Sequence, residues 1–276
     1  MIHLGEFNTL TILRDTEPGL FLGDQEDNEV LLPNRYVPQS FEIGDEIEVF
    51  VYLDNEERIV ATTDKPYIIK NQFGLLRCNQ VNQYGAFLDW GLVKELFCPF
   101  KEQVFKMTAG HYYFVHCYLD EKTDRLVASS KTNKFLDNTQ LTVEKFQEVD
   151  LIVSHPTDLG MVVVVNNLHS GLIYKDDLYG DVEVGDRLKG YVKKVRNDNK
   201  LDIVLQPIGY KNIEPSAQKV MDVLNDNSGF LPLHDKSNPE EIKELLEMSK
   251  KSFKKAVGSL YKQRLIEIKP DGIYLV

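Results

Sequence analysis

Three times along this chain a glycine is followed by another glycine 25 residues later: Gly19 and Gly44, Gly85 and Gly110, Gly160 and Gly185. A spacing kept in tandem marks repeated structural units. The first glycine of each pair introduces an apolar segment, Leu20-Phe21-Leu22, Ala86-Phe87-Leu88 or Met161-Val162-Val163. A second apolar segment lies between the paired glycines at matching offset: Val30-Leu31-Leu32, Leu96-Phe97-Cys98 or Leu172-Ile173-Tyr174. The second glycine opens a longer alternating stretch, at 47–52, 113–118 and 188–192. After a polar turn each copy closes with a basic residue and a final apolar strand, led by Arg58, Arg125 or Lys200. Period-2 alternation, β-branched and aromatic enrichment and short polar turns read as strands. About five strands in roughly 65 residues, bent by glycines, is the economy of a small closed barrel. The alternative is three unrelated β-meanders, which the threefold spacing disfavours.

Beyond about residue 212 the periodicity changes. Residues 216–224 form an amphipathic pattern with Pro215 before it, which predicts a helix. A short strand, Phe230-Leu231-Pro232-Leu233, follows. Asn238-Pro239-Glu240-Glu241 predicts a second helix through Glu247, with an N-cap, a proline in the first turn and two acids. Ser249 caps a third helix running to about Arg264, burying Phe253, Val257 and Leu260 while Lys250, Lys251, Lys254, Lys255 and Lys262 fall largely on the other arc. Residues 265–269 and 273–276 make a hairpin around Pro270-Asp271-Gly272. Three helices and a β-hairpin in this order describe a winged helix-turn-helix, an α/β domain.

The chain is therefore expected to be multidomain and mainly β: three tandem OB-type barrels at 1–66, 67–140 and 141–207, then a winged helix at 208–276. The three cysteines, Cys78, Cys98 and Cys117, form no CxxC pair, which argues against a disulfide framework and for a reducing compartment, so the cytoplasm is the expected location. Charge interrupts the N-terminus before an apolar run can form, and the apolar run at 161–165 is too short to span a bilayer, so neither export nor a membrane partner is expected. There is no phosphate-binding glycine loop, HExxH, GxSxG or Rossmann fingerprint. The six histidines, at 3, 111, 116, 155, 169 and 234, have no metal-ligand spacing. No enzyme activity, metal or cofactor is expected; a nuclease built from carboxylates distant in sequence is the catalytic alternative.

The middle copy, through Tyr84-Gly85-Ala86-Phe87-Leu88 and Asp120…Arg125-Leu126, resembles the S1-type RNA-binding domain, an OB barrel. The stretches Leu233-His234-Asp235-Lys236-Ser237, Met248-Ser249-Lys250 and Leu260-Tyr261-Lys262-Gln263 resemble the conserved virulence factor B family. That family is described as tandem S1-type domains followed by a winged helix. The resemblance spans the whole chain, strongest in the last 45 residues and weakest in the first barrel. It implies RNA binding connected with post-transcriptional regulation. It also implies that the two aromatics, a histidine on the next strand, and a later acid and base face RNA. Here those positions hold Tyr84, Phe87, Cys98, Asp120 and Arg125, so the histidine is replaced.

The net charge of −11 opposes a polyanion, but its distribution matters. Residues 1–66 carry 4 Lys and Arg against 15 Asp and Glu, while residues 67–140 carry 9 against 7. The first barrel is thus expected to avoid RNA and to suit a protein partner or a spacer role. The primary candidate surface is the middle barrel: Tyr84, Phe87, His116 and Arg125, with Lys131 and Lys134 leading away. Phe87 fits a core as readily as an exposed face, the facing of His116 depends on one register step, and Trp90 suits a core as well as a stack. The second surface is Tyr191, Lys193, Lys194, Arg196 and Lys200 of the third barrel, residues that also suit a solvated edge. The third is Lys250, Lys251, Lys254 and Lys255 of the winged helix, which suit structured RNA or DNA as well as a merely soluble helix face. The expected partner is single-stranded RNA and the expected state a monomer. Rival readings are a DNA-binding regulator acting through the winged helix, and a scaffold docking on a ribosome or another assembly.

Overall fold

A computed structural model describes residues 1–178, 180–206, 215–227, 229–234, 236–262 and 265–275. The chain divides into two compact units, Met1–Leu205 and Gln206–Val276.

The first unit contains three closed five-stranded barrels. Barrel 1 comprises β1 (Phe7–Thr16), β2 (Gly19–Gly23), β3 (Glu29–Pro33), β4 (Glu46–Leu53) and β5 (Ile59–Thr62). Barrel 2 comprises β6 (Phe73–Val81), β7 (Gly85–Asp89), β8 (Leu96–Pro99), β9 (Tyr112–Asp120) and β10 (Arg125–Ser129). Barrel 3 comprises β11 (Glu148–Pro156), β12 (Gly160–Val165), β13 (His169–Tyr174), β14 (Arg187–Val195) and β15 (Leu201–Val204). One pairing scheme serves all three. The first strand pairs with the second and fourth, the second pairs with the third, and the fifth lies parallel to the third and antiparallel to the fourth.

The repeated glycines hold this scheme in place. At Gly160, φ is +154° and an added Cβ would lie 2.0 Å from the carbonyl oxygen of Ile173, so the neighbouring strand passes where a side chain would stand. The second glycine of the middle pair, Gly110, has φ +88° in the turn before β9. The opening strand of each barrel, β1, β6 and β11, completes the five and was not assigned residues by the glycine repeat.

The barrels share apolar contacts. Phe50 and Tyr52 of barrel 1 are buried in one cluster with Leu88, Trp90 and Leu96 of barrel 2, and the Phe50 and Trp90 rings meet edge-on at 5.7 Å. Between barrels 2 and 3, Phe73 is buried with Ile152 and Val164, and Phe114 and Phe135 pack against them.

The second unit holds α1 (Pro215–Asp226), β16 (Phe230–Leu231), α2 (Pro239–Leu246), α3 (Lys250–Lys262), β17 (Ile266–Lys269) and β18 (Gly272–Leu275), with sheet order β16-β18-β17. Val220, Leu224, Ile242, Phe253, Val257, Leu260 and Ile273 form its core. Asn238 caps α2 by accepting from the Glu240 N–H at 3.2 Å, and Ser249 caps α3 by accepting from the Ser252 N–H at 3.1 Å. The strand expected over 230–233 is shortened to two residues, because Pro232 has no N–H to give the ladder. The expected end of α3 at Arg264 lies outside the described residues.

Candidate nucleic-acid interface

The alternation along β7 and β8 builds an aromatic face. Ala86, Leu88, Leu96 and Cys98 point into the core. Phe87 and Phe97, which are register partners, remain half-buried with ring centroids 5.1 Å apart. Tyr84 stands at the lip of this face, 66% exposed. The side-chain oxygen of Asn82 accepts from the N–H groups of Tyr84 and Gly85, at 2.8 and 3.2 Å, which fixes the turn that presents it. Because β10 runs parallel to β8, its leading residue Arg125 comes to the same edge. Tyr84, Phe87, Phe97 and Arg125 line an open cavity of about 490 Å³.

Barrel 1 supplies the opposite wall, through Tyr52, Leu53, Asn55 and Glu57. Glu57 is ion-paired with Arg125. The Lys94 ammonium donates to the Asp54 carbonyl at 2.7 Å, and burial pushes its pKa down. The Glu95 carboxylate accepts from Asn79 and Gln80 at 2.9 and 2.6 Å. Two cations and two carboxylates therefore line the cavity, leaving it close to neutral. Residues of the acidic first barrel, which was expected to avoid RNA, thus line this cavity as well.

Several expected contacts lie elsewhere. His116 is 4% exposed, stacked on Phe135 with centroids 3.9 Å apart and beside Phe73 at 4.4 Å. Its Nδ1 has no hydrogen-bond partner among the described residues, and burial pushes its pKa down to about 4. The outer side of β9 is covered by the junction with barrel 3, so this ring is not presented to solvent. Trp90 is 2% exposed and donates from Nε1 to the Lys94 carbonyl at 2.5 Å, which assigns it to the core. Cys98, at the family's histidine position, is fully buried and its thiol is pushed up to about 12 by burial. Asp120 is the register partner of Arg125 but does not line the cavity. Lys131 donates to the Lys101 carbonyl at 2.7 Å, and Lys134 pairs with Glu102 at 2.5 Å.

Phe97 was not among the expected contacts. Its signal was present in the sequence, since it sits between inward-facing Leu96 and Cys98, one step off the histidine correspondence.

Barrel 3 repeats the cavity without counterparts of the Tyr84 and Phe87 rings, although Tyr174 lines it. Leu159 and Val162 stand where Tyr84 and Phe87 do, in a groove of about 760 Å³ with Arg196 and Lys200. Its cations are largely committed: Lys193 to Asp177 at 2.7 Å, Arg196 to Asp202 at 2.8 Å, and Lys200 to Asp198 at 2.8 Å. Tyr191 donates to Glu148 at 3.0 Å. Lys194 is exposed and has no ion pair among the described residues. In barrel 1 the face is closed by Arg14, whose guanidinium lies 4.2 Å from the Phe21 ring centre.

On α3, Lys251, Lys254 and Lys255 are exposed, opposite buried Phe253 and Val257. Lys250 is half-buried and donates to the Ser237 carbonyl at 2.7 Å. Among the described residues, no group of three or more His, Cys, Asp or Glu side chains could hold a metal ion, and no helix is long and apolar enough to cross a membrane.

Known proteins similar to this chain match it over most of its length. Over 273 residues the chain is 28% identical to uncharacterized protein YitL of Bacillus subtilis, covering 94% of this chain and 89% of that protein. It is 25% identical to conserved virulence factor B of Staphylococcus aureus over 242 residues, covering 85% and 80% of the two chains. A multidomain protein with nucleic acid binding domains from Streptococcus pneumoniae matches at 25% identity and a TM-score of 0.44, covering 99% of this chain and 98% of that one. Residues 4–64 match the S1 domain, so the barrel whose sequence resemblance was ranked weakest is the one the S1 family model recognises. The resemblance to the conserved virulence factor B family is borne out: residues 4–64 match the S1 domain, and residues 218–275 match the CvfB-like winged helix domain.

Proposed function

We propose that this protein binds single-stranded RNA through the cavity between barrels 1 and 2, and that it regulates gene expression after transcription as a cytoplasmic monomer. The observation that carries this reading is the exposed Tyr84 beside the Phe87–Phe97 pair and Arg125, at the rim of one open cavity. Bases splayed from a single strand stack on such rings, and each stack contributes about 1–3 kcal/mol. A duplex keeps its bases stacked on one another and cannot offer them to a cavity of this kind. Arg125 is suited to a phosphate, once it leaves Glu57.

The test is the affinity of fluorescein-labelled RNA for the full chain and for the Tyr84→Ala/Phe87→Ala variant. Loss of at least about tenfold is expected; unchanged affinity in a folded variant ends the stacking reading. The exposed Lys251, Lys254 and Lys255 on α3 favour a second reading, duplex DNA held by the winged helix, since that helix is the usual groove reader. Competition between labelled RNA and unlabelled duplex DNA separates the two.

A further inference from the structure

Between β8 and β9 the chain exposes apolar side chains that its own core does not use. Phe105 is 81% exposed, Val104 55% and Phe100 37%. The segment is nevertheless anchored. Gln103 donates from its side chain to the Cys98 carbonyl at 2.9 Å and accepts from the Met107 N–H at 2.9 Å, while the Val104 N–H donates to Ser130 Oγ at 2.9 Å. Phe105 therefore projects from a fixed support.

Val104 and Phe105 border a groove of about 650 Å³, whose other walls are Tyr113 and Phe114 of β9, the link at 130–134, and Ser154 and His155 of β11. Among the described residues no Asp or Glu lines it, whereas Lys131 and Lys134 do, the latter ion-paired with Glu102. The Lys131 ammonium meets a backbone carbonyl, with no ion pair among the described residues, so its charge remains available. This groove differs from the cavity at Tyr84, where carboxylates match the cations. A cationic rim around an apolar, aromatic floor complements a polyanion that also carries flat rings.

The segment that borders the groove adjoins the turn at Tyr84, and the groove shares a lining residue with that of barrel 3. On one side the Phe100 N–H donates to the Tyr84 carbonyl at 3.3 Å, and the Lys106 ammonium lies 5.9 Å from the Phe100 ring centre. On the other, Asn133 lines both this groove and that of barrel 3, which contains Leu159, Val162 and Lys200. We propose that the groove is a second binding site for single-stranded RNA, carrying one strand from the barrel 2 face to barrel 3, with Phe105 stacking a base and Lys131 pairing with a phosphate. This inference rests on the RNA reading of the Tyr84 face.

The test uses the full chain carrying Phe105→Ser and Lys131→Ala, both at exposed positions, with folding checked by thermal melting. Affinities are measured for labelled oligouridines of about 6 and about 24 nucleotides, one short enough for a single barrel and one long enough for several. The variant is expected to weaken the longer strand by about tenfold and to leave the short one unchanged. Unchanged affinity for the longer strand overturns the proposal. So does an equal loss for both lengths, which would place the effect at the barrel 2 face. Measuring Tyr84→Ala/Phe87→Ala in parallel separates the two readings: if that variant keeps both affinities while the groove variant weakens the longer strand, the groove binds RNA and the Tyr84 reading fails.

Discussion

Glu57, on the turn between β4 and β5 of barrel 1, is ion-paired with Arg125, the first residue of β10 in barrel 2. The pair closes one side of the cavity that contains Tyr84 and Phe87. A phosphate arriving at Arg125 must displace this carboxylate. Both side chains are about half exposed, so the pair is screened and contributes under about 1 kcal/mol. Glu57→Gln should therefore tighten RNA binding by about 2–5-fold, read by fluorescence anisotropy at low salt. A weaker complex would mean that Glu57 contacts the RNA instead of competing with it.

Salt dependence should be shallow for a short strand. Around the cavity the cations are Lys94 and Arg125, the first held by a backbone carbonyl and the second by Glu57. With a slope of about −0.7 per phosphate neutralised on a single strand, the hexamer should give a log–log slope no steeper than about −2. A much steeper slope would move binding to the lysine-bearing surfaces.

His116 sets an acid limit on stability. Its folded pKa is pushed from 6.5 down to about 4 by burial between Phe73 and Phe135. The unfolded chain therefore takes up the proton first, and stability that is complete above pH 6.5 declines as the pH falls towards 4. The loss amounts to at most about 3 kcal/mol. His116→Phe keeps the stack and removes the titrating nitrogen, so chemical denaturation should show less pH dependence in that window. An unaltered profile would assign the acid loss to other groups.

Two glycines should respond differently to alanine. Gly160→Ala places a methyl 2.0 Å from a backbone oxygen, whereas at Gly44 nothing lies within 4 Å and only the positive φ of +100° is penalised. Gly44→Ala should cost about 1 kcal/mol, while Gly160→Ala should displace β13 and cost several times as much or prevent barrel 3 from closing. Urea denaturation compares them, and equal losses would contradict the close-approach reading.

The barrels were legible in the sequence because four of their five strands combine regular alternation with the glycine pairs. The opening strands were harder to place because β1, β6 and β11 each change register midway, at Ile12/Arg14, Cys78/Gln80 and Val153/His155. A bulge shifts the alternation by one residue and breaks the pattern into fragments too short to recognise. His116 was unreadable for another reason: Val115 faces the barrel interior and His116 the next barrel, so neighbouring residues are both buried. A strand covered on both sides loses the polar alternation that reveals its facing. The partnership of Glu57 with Arg125 depends on two charged turns from different barrels meeting, and no local pattern encodes it. The helix caps of the second unit, by contrast, are local chemistry, and Asn238 and Ser249 occupy the positions their neighbours imply.

Ultraviolet crosslinking of the full chain to a short single-stranded RNA, followed by mass spectrometry of the peptides, tests the central claim most directly. Crosslinks should fall on the segments containing Tyr84, Phe87 and Phe97, since stacked rings are in van der Waals contact with the bases. Crosslinks confined to α3, with none on those segments, would contradict the account.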